Sequence, residues 1–429
     1  MILIIGAGVT GLTCAACLDG DVLIVERDSE VGGYCRTTKR NGFVWDRAGH
    51  FFHFSNSKIK RFFDKSIPDD SFAVVEKSTS IFLSDVGYVD FPFQKNIHQL
   101  PKHEYIRCLI DLYEAEKGDR PYSNFKEYIY HTLGAGICDR FLIPYNEKLY
   151  ACDLNELDQD AMGRFFPKAN FENVLLNAKQ GTNSSYNQFF SYPRDGANAF
   201  VEVLKHHALR SAEICLNTTV EYIDIASKEA RLSSGDVIRF EKLVNTAPLD
   251  KFCNLAGIDT SAAQLSANKV VVFNLGFDRC NEIKAHWIYY PGDEVFYRVG
   301  CYHNIFGTTS ASLYVEIGMA RDDAVDEAAL LDRVLNDLEK VGLIESDFIL
   351  VDHEFIQMDP AYVHINKTSN AFKEQLKSEL EHSGIYTAGR YGNWTYCSIE
   401  DNLIEAHGIA KIIGGASMYR DTLGLDSED

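Results

Sequence analysis

Basic charge is what this sequence has least of. Against 62 Asp and Glu residues stand 42 Lys and Arg, for a formal net charge of -20. Nucleic acid and anionic membrane both call for a basic surface, so neither is expected as a partner. An anionic small molecule stays open, because a few local arginines outweigh a distant negative field. No apolar run is long enough to span a bilayer, so membrane insertion is not expected. The chain enters an apolar run at residue 2 without a basic leader, and a cytoplasmic location is expected. No histidine cluster has metal-ligand spacing and no Ser/His/Asp constellation is present, so a metal site is not expected and hydrolytic chemistry has no visible nucleophile. Internal repeats and low-complexity tracts are missing too. The 11 cysteines are odd in number and scattered. Cys14 and Cys17 lie in an apolar helix pattern, where small buried thiols are the simplest reading. That usage fits a reducing compartment.

What remains is a chain of 429 residues, 46% hydrophobic and 24% charged, which is room for two or three substructures. Residues 2–5 read as a buried parallel strand, 9–18 as a helix and 22–25 as a second strand. Residues 101–190 are helix-rich, with apolar spacing in Tyr105, Ile106, Leu109 and Leu112 and again in Phe125, Ile129 and Leu133. Residues 265–318 read as strands, including Lys269-Val-Val-Val-Phe, Trp287-Ile-Tyr-Tyr and Ser312-Leu-Tyr-Val-Glu. A helix is predicted over 322–341, a three-strand meander over 218–240 with its turn at Ser234-Gly235, a strand at 385–388 and a long last helix from about Ser398. The predicted fold class is therefore α/β. It has a discontinuous Rossmann-like nucleotide-binding domain (1–66, 192–262 and 383–429), an inserted helical domain (97–191) and an inserted antiparallel sheet domain (67–96 and 263–382).

The chemistry starts at Gly6-x-Gly8-x-x-Gly11, between the first strand and the first helix. Its glycines allow a tight turn, let backbone approach a pyrophosphate and pack helix close to strand, while the helix N-terminus supplies the anion site. Glu26 ends the second strand, where its carboxylate accepts from ribose hydroxyls and repels a 2′-phosphate. Glu30-Val-Gly32-Gly33-Tyr-Cys-Arg36 then reads as a second glycine loop laid over the pyrophosphate, with Arg36 as counter-charge. Either motif alone is a common glycine turn; both in register point to FAD. Near the other end, Gly389-Arg390 followed by Ser398-x-x-Asp401 reads as a loop and a capped helix aimed at the flavin.

With these motifs the chain resembles the UDP-galactopyranose mutases, a branch of the FAD superfamily that also holds amine oxidases and protoporphyrinogen oxidases. The resemblance runs through Gly49-His50-Phe-Phe-His53-Phe, Asp90-Phe-Pro-Phe-Gln94, Pro144-Tyr-Asn-Glu-Lys148-Leu-Tyr150, Gly163-Arg164 and Tyr192-Pro-Arg-Asp-Gly196. It continues through Trp287-Ile-Tyr-Tyr-Pro291 to Tyr297-Arg298, and through Gly389-Arg390 to Tyr396 and Asp401. Tyr150 stands where the family has tryptophan, and the residues after Tyr362 lack the family's proline spacing. The resemblance implies FAD that is active when reduced, its N5 attacking the anomeric carbon of a UDP-hexose to interconvert pyranose and furanose forms. Such a product would feed cell-surface polysaccharide biosynthesis. It implies Arg164 and Arg298 as a two-arginine clamp on the diphosphate, with Tyr362 and Tyr396 on the substrate side and His50 and Gly49 beside the flavin. Two arginines from different segments suit a diphosphate through fork-like, charge-assisted hydrogen bonds.

Two rival readings share the FAD motifs. One is an amine or protoporphyrinogen oxidase or desaturase, which gains nothing from paired cations. The other is a non-enzymatic escort of the GDP-dissociation-inhibitor type, against which Gly33, Arg36 and Gly389-Arg390 speak. The motifs generate a direct expectation: the purified protein is yellow and releases FAD on denaturation, read by absorbance. A colourless protein after expression with ample flavin favours the escort.

Overall fold

Two runs of four apolar residues, Ile2–Ile5 and Val22–Val25, are buried at every position, as parallel strands covered on both faces must be. The computed structural model describes residues 1–426 apart from 51, 53, 119–120, 167–168 and 181–188. Phe51 and His53 of the glycine–histidine segment therefore lie outside the described residues. The parallel sheet runs in the order Ile385–Thr387, Lys242–Asn245, Ile2–Ile5, Val22–Val25, Ala212–Cys215. Every neighbouring pair in it is parallel. On one face Leu12, Phe200, Val201, Leu403 and Ala410 join Ile2, Ile4 and Ile24 in one core. These come from the helices Val9–Ala16, Asn198–Ala208 and Ile399–Met418. On the other face Leu3, Leu23 and Leu243 pack with Ile223, Ala230, Phe252 and Leu376. The expected meander is there, as Val220–Asp224, Glu229–Leu232 and Val237–Arg239 in antiparallel order.

The second sheet joins, in order, Leu350–Met358, Ser266–Phe277, Ser312–Ala320, Arg298–Cys301, Trp287–Tyr289, Thr79–Leu83 and Gly87–Asp90, with Val363–His364 paired to Ser266–Phe277. Its pairs are antiparallel except Trp287–Tyr289 beside Thr79–Leu83, which run parallel. Alternation along the strands sorts the side chains. Val271, Phe273, Leu313, Val315 and Ile317 face a core closed by Val334 and Leu338 of the helix Glu327–Lys340. Val270, Val272, Tyr297 and Tyr314 face the helical segment, in one core with Phe125, Ile129, Leu133 and Tyr150. The helix Glu327–Lys340 starts five residues later than the predicted 322, because Asp326 is its N-cap and accepts from the Ala329 amide. The last helix begins where expected, with Ser398 and Asp401 in a capping box. Among the described residues no helix is long and apolar enough to cross a membrane.

The helix Ile143–Tyr150 ends against the sheet, and its last carbonyls are satisfied there. Asn268 donates to the Leu149 oxygen at 2.6 Å, and the His364 ring meets the Tyr150 oxygen at 2.9 Å. Gly318 makes that approach possible, since a Cβ on it would sit 2.0 Å from the Lys148 carbonyl oxygen. Gly318→Ala is expected to destabilise by about 3 kcal/mol, because the obstacle is backbone and cannot rotate away. Gly408, inside the last helix with open space around it, gives the opposite sign: Gly408→Ala gains about 1 kcal/mol. Denaturant unfolding of the two variants checks both directions.

Candidate functional site

The first strand leaves the sheet at Gly6, whose φ of 98° belongs to glycine. At Gly11 a Cβ would lie 2.0 Å from the Gly6 carbonyl oxygen, so only glycine lets the helix start this near the strand. The helix Val9–Ala16 has Gly8 as N-cap and no side-chain cap. Among the described residues no side chain caps its leading amides, which is the arrangement of an anion-binding helix start. The loop 30–36 closes on the same turn. Gly32 donates to the Ala7 oxygen at 2.8 Å and bridges to Gly8, and a Cβ on Gly33 would lie 3.5 Å from the Gly8 Cα. Glu26 is buried at the end of its strand and accepts from the Ala7 and Asp28 amides at 2.7 and 3.0 Å. Arg36 is buried as well; it donates to the Gly33 oxygen and pairs with Asp28.

Arg47 is a neighbour that sequence reasoning missed. Burial lowers its pKa, and the positive charge of Arg36 lowers it further. Among the described residues no carboxylate forms a salt bridge with it. Two guanidiniums thus converge beside the glycine loop. The only signal in the sequence is position, directly after the strand Phe43–Asp46. His50 follows Gly49, and its ring contacts the Tyr34 carbonyl oxygen at 2.6 Å.

The C-terminal motif folds back onto the N-terminal turn. Asn402 accepts from the Thr10 hydroxyl at 3.2 Å and from the Arg390 amide at 2.9 Å. Gly389 presses on Thr10, where a Cβ would meet the hydroxyl at 2.5 Å. The Arg390 guanidinium then extends among aromatic rings, 4.7 Å from the centre of Tyr396, 5.0 Å from Tyr362 and 6.0 Å from Tyr391. Tyr362 and Tyr396 stack at 6.0 Å.

Arg298 lies directly opposite Glu316 on the neighbouring antiparallel strand. The two make a two-point ion pair, with Glu316 2% exposed and Arg298 21%. Alternation puts Tyr314 on the same face as Glu316, since Leu313, Val315 and Ile317 fill the opposite core. Tyr145, Tyr297 and Tyr314 surround the pair, and burial holds their phenols well above the ordinary tyrosine range. They are therefore neutral donors at physiological pH. The buried hydroxyls of Tyr150, Tyr297 and Tyr314 find no hydrogen-bond partner among the described residues, which is costly unless a ligand or water supplies one. Arg298 and Arg390 both act electrostatically on the Tyr396 phenol, which links the pair to the C-terminal turn. Glu316 was legible only as a charge inside an apolar strand; its pairing with Arg298 was not.

Arg164 has a different setting. It is 62% exposed and grips Asp401 with both carboxylate oxygens, at 2.7 and 2.8 Å. Asp401, expected at the cofactor, spends one oxygen capping its own helix through Ser398 and both on Arg164. Phe165 packs edge-on to Tyr396 at 5.2 Å, so Arg164 stands at the rim of the same tyrosine cluster. The structure brings together Arg298, Tyr362, Arg390 and Tyr396, and leaves Arg164 tied at the edge.

Comparison with solved structures finds the same fold repeatedly. A reduced UDP-galactopyranose mutase superposes with a TM-score of 0.87 at 23% identity, covering 99% of this chain and 96% of that one. A putative protoporphyrinogen oxidase from Exiguobacterium sp. 255-15 gives 0.73 at 17%, covering 96% and 98%. A putrescine oxidase variant gives 0.64 at 13%, again covering 96% and 98%. Residues 9–411 match the family of flavin containing amine oxidoreductases. The chain belongs to that family, with FAD as its cofactor.

Proposed function

We propose that this flavoprotein is a nucleotide-sugar mutase, interconverting the pyranose and furanose forms of a UDP-hexose. The observation that carries the reading is the half-buried Arg298 guanidinium set among phenol hydroxyls that find no partner among the described residues. A diphosphate fits such a setting: one fixed cation plus neutral donors recognises an anion without filling the pocket with repelling charges. In this reading the uncapped amides at Gly8, the carboxylate of Glu26 and the guanidiniums of Arg36 and Arg47 hold FAD. Bound and reduced, the flavin supplies a nucleophilic nitrogen for the anomeric carbon. Arg298 holds the diphosphate close while the sugar is detached and returned, which keeps leaving group and returning nucleophile in place. Tyr362 and Tyr396 line the sugar side, with Arg390 beneath them fixing their rings through cation–π contact. Arg164, paired with Asp401 at the rim, adds the second cation by exchanging that carboxylate for the ligand. His50 orients the loop at Tyr34.

Two measurements test this. The protein is expected to isomerise UDP-galactopyranose after dithionite reduction and not when oxidised, read by product chromatography. Steady oxygen uptake with putrescine or a porphyrinogen, without isomerisation, would overturn the mutase in favour of an oxidase. Second, Arg298→Ala is expected to weaken UDP binding at least about tenfold, or 1.4 kcal/mol, and to destabilise by about 3 kcal/mol because Glu316 is left buried alone. Adding Glu316→Gln should restore much of the stability and none of the affinity. Unchanged UDP binding in the single variant removes Arg298 from the clamp.

A further inference from the structure

A polar cavity of about 240 Å³ lies behind the C-terminal turn, between the helix Lys367–His382 and residues 392–395. None of its lining belongs to the glycine turns, to Arg298 or to the tyrosine cluster. Lys373 and Lys377 reach into it from one face of the helix, at the i,i+4 spacing where like charges repel. Among the described residues neither has a salt-bridge partner. Burial draws the Lys373 ammonium below its ordinary range; the negative charges of Glu374 and Glu405 offset this only in part, and Lys377 adds to it. The third free donor is the Thr395 hydroxyl, which no other described group engages.

Of the two carboxylates that line the cavity, Glu374 is exposed and Glu405 has both oxygens taken. Glu405 takes the Gly389 amide at 2.7 Å on one oxygen and the Asn393 side chain on the other, and Asn393 in turn accepts from Thr387 at 3.0 Å. Among the described residues two cations without a salt bridge and a hydroxyl without an acceptor, in a chain of net charge -20, form an arrangement that a bound oxyanion would complete. We propose that this cavity is a binding site for a small oxyanion of the phosphate class, held by Lys373, Lys377 and Thr395. The site is independent of the mutase reading. Its occupant abuts Thr395, one residue before Tyr396, and so rests against the segment that carries the C-terminal motif.

Calorimetric titration of the FAD-loaded protein with inorganic phosphate, and separately with glycerol phosphate, tests the site and separates free phosphate from a phosphate ester. Saturable uptake of either is expected, at least about tenfold weaker in Lys373→Gln/Lys377→Gln. The Lys373→Arg/Lys377→Arg protein should keep binding, and an unaltered melting temperature in the Gln variant shows that the fold is intact. Uptake unchanged in the Gln variant places the anion elsewhere, at Arg298 for example, and overturns the proposal. No uptake of either compound up to about 10 mM, where a millimolar site would be mostly filled, overturns it equally.

Discussion

The site depends on one short chain of hydrogen bonds, from Thr10 through Asn402 to the Arg390 amide. It joins the first helix to a turn and a helix near the other end of the chain. Without it the glycine turn at 6–11 would still form, because its causes are local. The tyrosines around Arg390 would not be held over it. The strands of the parallel sheet are three or four residues long, too short to hold these ends together by ladder hydrogen bonds alone. Side-chain bonds at the carboxyl ends of the strands complete the assembly, and that is where open α/β sheets place their ligands.

Arg298 shows what the second sheet contributes. An ion pair with one partner 2% exposed gains little net stability, since desolvation cancels much of the attraction. Its effect is positional. Directly opposed on antiparallel strands, Arg298 and Glu316 hold each other's side chains in place through two hydrogen bonds. The guanidinium has five N–H donors, and Glu316 takes two of them, so donors remain for a ligand without breaking the pair. Arg164 places one terminal nitrogen on Asp401 at the surface, where solvent screening makes the pair weak and exchange inexpensive.

What could be read from the sequence follows from the range of the forces involved. Glycine turns, strand periods and the Ser398–Asp401 capping box are local, and they stand where they were expected. The helix predicted over 322–341 begins late at Glu327 because a single cap, Asp326, sets its start. The partners were not legible. Glu316 meets Arg298 only through strand register, Asp401 meets Arg164 across 237 positions, and Arg47 is singled out only by the burial around it. A residue type can be guessed from a motif, but its charge balance depends on neighbours brought in from far along the chain.

Those neighbours must carry the functional distinction, because the fold cannot. The same architecture superposes on a mutase and on oxidases at identities of 23% and below, and one fold hosts many chemistries. The discriminating variable is the polarity beside the expected flavin face. An oxidase acting on a hydrophobic substrate gains from apolar walls, and one acting on a cationic amine gains nothing from a buried guanidinium. Here burial keeps Tyr145, Tyr297 and Tyr314 protonated, so they donate without adding charge, and two of their hydroxyls have nothing to donate to. Leaving such groups unsatisfied costs about 1–3 kcal/mol each. A ligand rich in acceptor oxygens removes that cost, and an amine or a hydrocarbon leaves it in place.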